Sequence, residues 1–330
     1  MRKRPATMNH VAERAGVSLK TVSRYVNGET NIAPELGERI AAAIAELGYR
    51  RNLAAASIRP GQASRLIGLI ISDLANPYYS ALAAAAEQEV MAQGYVLVVS
   101  SSTDDIARYD HLVSRLVEQR VDGLIIVPPR GGHDRIDSDS LLSPAVFLDR
   151  PPLSGGADCV LADNRGGARS AIEALLNGGL RQVAFLSDSL EVFTIRERWL
   201  GYLETMACHG VDPVSLPNWT GAHSREEAKA GAIRLLQETE VEAFFTANNR
   251  ATLGALEAMQ ETGIQRPIIG FDDFESASLI GGGISVVRQP VEEMGRAAAQ
   301  MLLAKMTRET SQQQQVVLPT ELVLRGSEAR

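Results

Sequence analysis

The stretch VAERAGVSLKTVSRYVNGE, Val11 to Glu29, holds two short amphipathic patterns separated by Gly16-Val17-Ser18. The first presents Val11, Ala12 and Ala15 on one face and follows Thr7, a residue type that caps helices. Ser18 is equally suited to cap the second, which the spacing predicts from Leu19 to about Val26. A third helix opens at Ala33-Pro34-Glu35, with proline at the first helical position and an acid in the first turn. It carries Ile40, Ala43, Ile44 and Leu47 at helical spacing and stops at Gly48. Three such helices form a helix-turn-helix unit, whose second helix enters a DNA major groove with its N-terminal residues facing base edges.

The charge distribution agrees. Residues 1–65 hold 11 Lys or Arg against 5 Glu and no Asp, a balance of +6, whereas the whole 330-residue chain stands at −7. A basic head on an acidic body implies that only the head meets a polyanion. Lys20 and Arg24 can donate to guanine N7 and O6, and Leu19 can touch a thymine methyl. Thr7, Ser18, Thr21, Ser23 and Asn27, with the helix N-termini, suit phosphate contacts that position the unit without reading bases. On spacing alone, a merely solvated helix face is an equal reading of Lys20 and Arg24.

The gapless match of Val11, Ala12, Ala15, Gly16, Val17, Ser18, Thr21, Val22, Ser23, Arg24 and Asn27 resembles the DNA-binding head of the LacI/GalR family of bacterial regulators. The segment LGYRRNLAAASIRPG, Leu47 to Gly61, resembles that family's hinge. The resemblance implies a short hinge helix formed on the operator, with Asn52, Ala55 and Ile58 at the DNA and Ile58 as a minor-groove wedge. Two departures stand there: Arg51 where the family has proline, and Ile58 where it has leucine, a stiffer β-branched wedge. His10 in place of Asp and Ala33 in place of a Ser cap are milder ones.

From Arg65 onward, short apolar runs alternate with helical patterns: LIGLIIS (66–72), YVLVVSS (95–101), VDGLIIVP (121–128) and AVFLD (145–149), then QVAFLSD (182–188), AFFTAN (243–248) and PIIGFDD (267–273). Continuous apolar strands between amphipathic helices indicate parallel sheets covered on both faces. Two comparable series predict two lobes. The resemblance extends over the chain and implies an all-α helix-turn-helix head plus an α/β two-lobed effector domain like a periplasmic binding protein. The expected boundaries are head 1–50, hinge and linker 51–62, and effector domain 63–330. Within the last, one lobe takes about 63–161 with 289–317, the other about 162–288 with 318–330.

In α/β lobes ligands bind beyond the carboxyl ends of the strands. The polar residues there are Ser72-Asp73, Ser101 with Asp104, Asp149-Arg150, Ser187-Asp188, Asn248-Asn249 and Asp272-Asp273, with Arg196 and Arg198 opening a later helix. Carboxylates accepting from vicinal hydroxyls, with Arg and Asn donating across oxygen pairs, suit a polyhydroxylated ligand. Tyr78, Phe193 and Trp219 can face a ring. The resemblance assigns ligand contacts to Ser72, Tyr78, Asp149, Arg150, Arg198, Trp219, Asn248, Asp272 and Gln289, and Asp73 joins them at the end of its strand. Asn249 departs from the family's frequent Asp, while Asp163-Asn164 reads as a helix cap. An ion pair or a cap is the alternative role for each site residue.

No Walker, dinucleotide, nucleophile-elbow or zinc-protease motif occurs, and His10, His111, His133, His209 and His223 are isolated. The expectation is therefore no enzyme, no metal and no cofactor. Cys159 and Cys208 lack disulfide or ligand spacing, no apolar run spans a membrane, and no apolar segment follows the basic Met1–Pro5, all of which suit a cytoplasmic protein. Taken together, the residues and the resemblance predict a homodimeric repressor on a pseudo-palindromic double-stranded operator, controlled by a sugar or nucleoside-like effector that acts as inducer or corepressor. A cytoplasmic sugar-binding protein, or a sugar-acting enzyme of the same architecture, is the rival reading, and neither has a use for the head. Helices 78–92 and 291–306 offer apolar faces for dimerisation, and the end after Val323 is too short for a heptad repeat.

Overall fold

A computed structural model of the chain describes residues 6–29, 31–50, 63–131, 143–152, 157–212, 215–307 and 313–329. It divides into two units, Met1–Ser64 and Arg65–Arg330. The first unit holds α1 (Met8–Ala15), α2 (Leu19–Val26) and α3 (Pro34–Leu47). Val11, Ala12, Ala15, Val22, Ile40 and Ala43 form its buried core. Gly16 ends α1 in the left-handed region at φ 63°, where a side chain would be strained. Arg39 Nη2 donates to the Ala15 carbonyl beside it at 2.6 Å, fastening α3 to the turn.

The second unit is built on two six-stranded sheets. The first is ordered β11-β5-β4-β3-β1-β2, from β1 (Leu66–Ile71), β2 (Val96–Ser101), β3 (Gly123–Ile126), β4 (Ala145–Leu148), β5 (Cys159–Ala162) and β11 (Gln315–Leu318). The second is ordered β12-β10-β9-β8-β6-β7, from β6 (Val183–Leu186), β7 (Asn218–Trp219), β8 (Ala243–Thr246), β9 (Ile268–Phe271), β10 (Ser285–Arg288) and β12 (Glu321–Val323). Every pairing is parallel except β10 with β12. Inner strands such as β3, β4, β6 and β8 are buried along their whole length, because helices cover both faces.

The first lobe is covered by α4 (Pro77–Ala92), α5 (Ile106–Glu118) and α10 (Val291–Met306); the second by α6 (Asn164–Asn177), α7 (Phe193–Cys208), α8 (Arg225–Glu238) and α9 (Asn249–Thr262). The chain passes between lobes three times, at 162–164, 288–291 and 318–321.

Three local differences from the sequence reading are physical. Helix α7 begins at Phe193, not at Arg196. Helix α8 carries a signal that the reading of apolar runs passes over: it is opened by a reciprocal cap in which Ser224 and Glu227 satisfy each other's backbone N–H groups. The apolar faces of α4 and α10, expected to serve dimerisation, are largely spent on each other. Gly295 brings α10 so close that a Cβ there would lie 2.4 Å from the Leu82 carbonyl oxygen. Among the described residues, no helix is long and apolar enough to cross a membrane.

Candidate functional site

On the head, Thr7 Oγ1 accepts from His10 N at 3.4 Å and Thr7 N donates to His10 Nδ1 at 3.3 Å, so His10 completes the cap of α1. Ser18 Oγ accepts from Thr21 N at 3.1 Å and caps α2. Directly after that cap, Leu19 is 47% exposed beside an exposed Lys20, while Thr21, Ser23 and Arg24 are half-buried. Arg24 is already engaged: its Nε donates to Glu29 Oε2 at 2.6 Å and its Nη2 to Asn31 Oδ1. Neither partner carries a helix signal, so this pairing has no pattern to be read from. Asn27 closes α2. Asn52, Ala55 and Ile58, with Arg51, lie outside the described residues.

The second site is the cleft between the lobes. In each sheet the strand order reverses beside the first strand, and the loops after β1, β4, β6, β8 and β9 converge there. Ser72, Asp73, Tyr78, Asp149, Arg150, Arg198, Asn248 and Asp272 all line one cavity of about 80 Å3. That is below the roughly 300 Å3 at which ligand pockets begin, so the lobes stand closed. Contacts across the cleft agree: Asn249 Nδ2 donates to Asn76 Oδ1 at 2.9 Å, and Arg250 pairs with Asp73. Asn76, Tyr79 and Arg250 are cleft residues that sequence reasoning missed, because their placement depends on how the lobes meet.

Asp149 follows β4 and Asp272 follows β9, equivalent strands of the two sheets, and both adopt left-handed backbone at φ 67° and 75°. Asp tolerates that region better than most residues. Tyr78 Oη donates to Asp149 Oδ1 at 2.8 Å. Burial pushes the Tyr78 phenol well above its ordinary value, reinforced by Asp149, and so keeps it a donor. Burial also raises the Asp149 carboxyl, with Arg150 and the Tyr78 hydrogen bond opposing. Arg150 Nη1 donates to Asp104 Oδ1 at 2.7 Å and to the Pro128 carbonyl at 3.0 Å. Burial alone would raise Asp104, but the charge and hydrogen bond of Arg150, with the Ser72 hydrogen bond and the charge of Arg130, together hold the carboxyl below its usual range. Ser72 Oγ donates to the same Asp104 oxygen at 3.1 Å.

In the second lobe Arg198 Nε donates to Asn164 Oδ1 at 2.8 Å and Nη1 to the Ala247 carbonyl at 2.6 Å. Its guanidinium lies 3.6 Å over the Phe271 ring and 3.7 Å from Asp272 Oδ1. Asn248 Oδ1 accepts from Ala251 N at 2.8 Å, so it caps α9 while lining the cavity. Asp163 caps α6, as its neighbours suggested.

Two expected contacts fall elsewhere. Trp219 does not line the cavity: its indole sits on Gly231 of α8, where a Cβ would lie 2.4 Å from the ring, with Arg234 stacked at 5.3 Å. The absence of a side chain at Gly231 opens that seat. Gln289 does not line that cavity: it donates Nε2 to Asp272 Oδ1 at 2.5 Å, accepts from Tyr78 Oη at 3.4 Å, and lines an adjoining hollow of about 510 Å3. Phe193 packs against the first lobe's core, leaving Val192, Thr194 and Ile195 at the cavity.

Comparison with known proteins matches both parts. Residues 7–52 match the family model of bacterial regulatory proteins of the lacI family, and 172–328 that of the periplasmic binding protein-like domain. The ribose operon repressor of Escherichia coli K12 is 30% identical, over 98% of this chain and 99% of its own. The crystal structure of the lac repressor dimer bound to operator and the anti-inducer ONPF has a TM-score of 0.88 at 28% identity, covering 99% of this chain and all of that one. A complex of the regulator CelR with cellobiose has a TM-score of 0.71 at 27% identity, covering 98% and 99%. The chain belongs to the LacI family of bacterial regulatory proteins.

Proposed function

We propose that this LacI-family chain is a cytoplasmic, sequence-specific DNA-binding transcriptional repressor that acts as a homodimer on a pseudo-palindromic operator, under control of a small ligand in the interlobe cleft. The observation that carries the reading is the start of α2. A capped helix presents an exposed Leu19 and Lys20 at its N-terminal end, an apolar and a cationic group placed as a major-groove reader requires. Thr7, Ser18, Thr21, Ser23 and Asn27 supply phosphate contacts, and Arg24 reaches a base. Residues 51–62 join head to effector domain, with Asn52, Ala55 and Ile58 at the operator centre.

The effector contacts are Ser72, Asp73, Tyr78, Asp149, Arg150, Arg198, Asn248 and Asp272, with Gln289 bracing Asp272. A ligand regulates only through its differential affinity for the DNA-competent and incompetent arrangements of the lobes. The sugar-type effector is supported by the density of donors and acceptors in the cleft, and by cellobiose in the related complex. The test is selection of bound duplexes from a random pool by the full-length protein at a fixed salt concentration, alone and with sugar pools. Two half-sites in inverted repeat are expected. No enrichment under any condition overturns the reading.

A further inference from the structure

The end of α2 sets an acid on that helix's own arginine. Gly28 follows the C-cap Asn27 with left-handed backbone at φ 76°, and its N–H donates to the Tyr25 carbonyl at 3.0 Å. Glu29 N then donates to the Arg24 carbonyl, also at 3.0 Å. These two bonds make a Schellman stop, which folds the residue after the glycine back over the last turn. The stop leaves Glu29 Oε2 2.6 Å from Arg24 Nε, while Asn31 Oδ1 accepts from Nη2 of the same guanidinium.

What these contacts take and what they leave differ by edge. The guanidinium carries five N–H groups in a rigid planar fork. Nε and Nη2 share its side edge, and that is the edge Glu29 and Asn31 occupy. Its end edge, the parallel hydrogens of Nη1 and Nη2, has no partner among the described residues, and the side chain is 33% exposed. Two parallel donors match the N7 and O6 acceptors that guanine presents in the major groove. An exposed ion pair contributes little to stability, so the effect of this one falls on where the guanidinium points. Anchoring the side edge restricts a flexible side chain in advance and fixes the direction of the free edge. A swing out to a phosphate gains nothing from that anchor: it breaks both bonds and leaves the Glu29 charge uncompensated beside the DNA backbone.

We propose that Glu29 and Asn31 are positioning residues: they keep hold of Arg24 on the operator and aim its end edge at a guanine, so that each half-site carries one G·C pair read by Arg24. This rests on the DNA-reading role of α2 given above.

The test uses the full-length protein and the duplex enriched by selection. Each base pair of one half-site is replaced in turn by the other three, and affinities are measured by fluorescence anisotropy at one salt concentration. Arg24→Ala locates the base pair, as the position at which preference disappears, and guanine is expected there, preferred by the wild type at least about tenfold. Glu29→Ala is expected to reduce that preference to about threefold or less and to leave every other position within about twofold. Its affinity for random duplex is expected to rise, with a salt slope steeper by about one. Glu29→Gln keeps an acceptor for Nε and is expected to retain the preference within about twofold; Asn31→Ala lowers it at the same position. Glu46→Ala removes an equally exposed acid from Arg14, at the far end of the head's third helix, and is expected to leave all preferences unchanged.

An unchanged or sharper guanine preference in Glu29→Ala overturns the proposal, as does an even loss at all positions, an equal loss in Glu46→Ala, or no recovery in Glu29→Gln. A base other than guanine at the Arg24 position overturns it too. Should circular dichroism show Glu29→Ala unfolded, Asn31→Ala carries the test, and an unchanged preference there has the same force. A protein that selects an operator but gives any of these results keeps its function and loses this inference, whereas selection of no operator removes both.

Discussion

The two lobes share one strand order, and each ends an equivalent strand on an aspartate with left-handed backbone, yet they hold the neighbouring arginine by different means. In the first lobe Arg150 is neutralised by ions: Asp104 at 2.7 Å and Asp149 at 3.6 Å, both largely buried. In the second, Arg198 makes its hydrogen bonds to neutral groups, the Asn164 side chain and the Ala247 carbonyl, lies over the Phe271 face, and has one carboxylate, Asp272, at 3.7 Å. The same architecture thus makes one wall of the cleft an ionic network and the other a dipolar cradle. The first is costly to break because a buried charge is left behind; the second is easier to rearrange around a ligand.

The largest expected effect tests this directly. Arg150→Ala strands the two carboxylates and is expected to cost about 3–5 kcal/mol of stability. Arg198→Ala leaves the Asn164 side chain and the Ala247 carbonyl unpaired, while Asp272 keeps its hydrogen bond from Gln289; it is expected to cost about 1–3 kcal/mol while abolishing the ligand response. Equal losses in denaturant unfolding of the two variants would erase the distinction. Trp219→Ala comes next, at about 2 kcal/mol for a half-buried ring, with ligand affinity retained. Loss of affinity without loss of stability would return Trp219 to the cleft.

The ionic wall also has a pH signature. Asp104 has a folded value below its unfolded one, so its contribution is present above the ordinary aspartate value near 4 and is lost as pH falls through the folded value. Asp104→Asn is therefore expected to lower the melting temperature at pH 7 and to converge on the wild type towards pH 3. A gap that stays constant across that range would remove Asp104 from the ionic wall. The smallest effect is Ser224→Ala, which removes one half of the α8 cap and is expected to cost about 1 kcal/mol by chemical denaturation.

Much of this was legible because it is local. Runs such as Leu66–Ile71 and Ala243–Thr246 are apolar throughout since both faces of each sheet are covered, and Thr7, Ser18, Pro34 and Gly48 stand where the helices of the head start and stop. Helix α8 was readable too, from Ser224 and Glu227, but the first turns of its buried face carry only Ala228, Gly231 and Ala232 before Leu235 and Leu236. What could not be read is which way a side chain at a strand end turns. Trp219 and Asn248 both stand at such ends, and only the vacancy over Gly231 sends one away from the cleft. Asn76 and Asn249, 173 positions apart, meet through the closure of two lobes, which no periodicity records.

The three crossings bear on how the protein is made. Helix α10 and strands β11 and β12 reach back to complete both sheets, so a nascent chain halted before Val291 lacks the cover for Leu82, Ala86 and Val90 of α4 and the edge that closes beside β5. Neither lobe can finish folding while it emerges from the ribosome, and the apolar face of the first must wait through synthesis of the whole of the second. Sequence-distant closure of this kind slows folding and prolongs exposure to aggregation. The head, whose buried core is drawn from Val11 to Ala43, can be complete before the effector domain has begun.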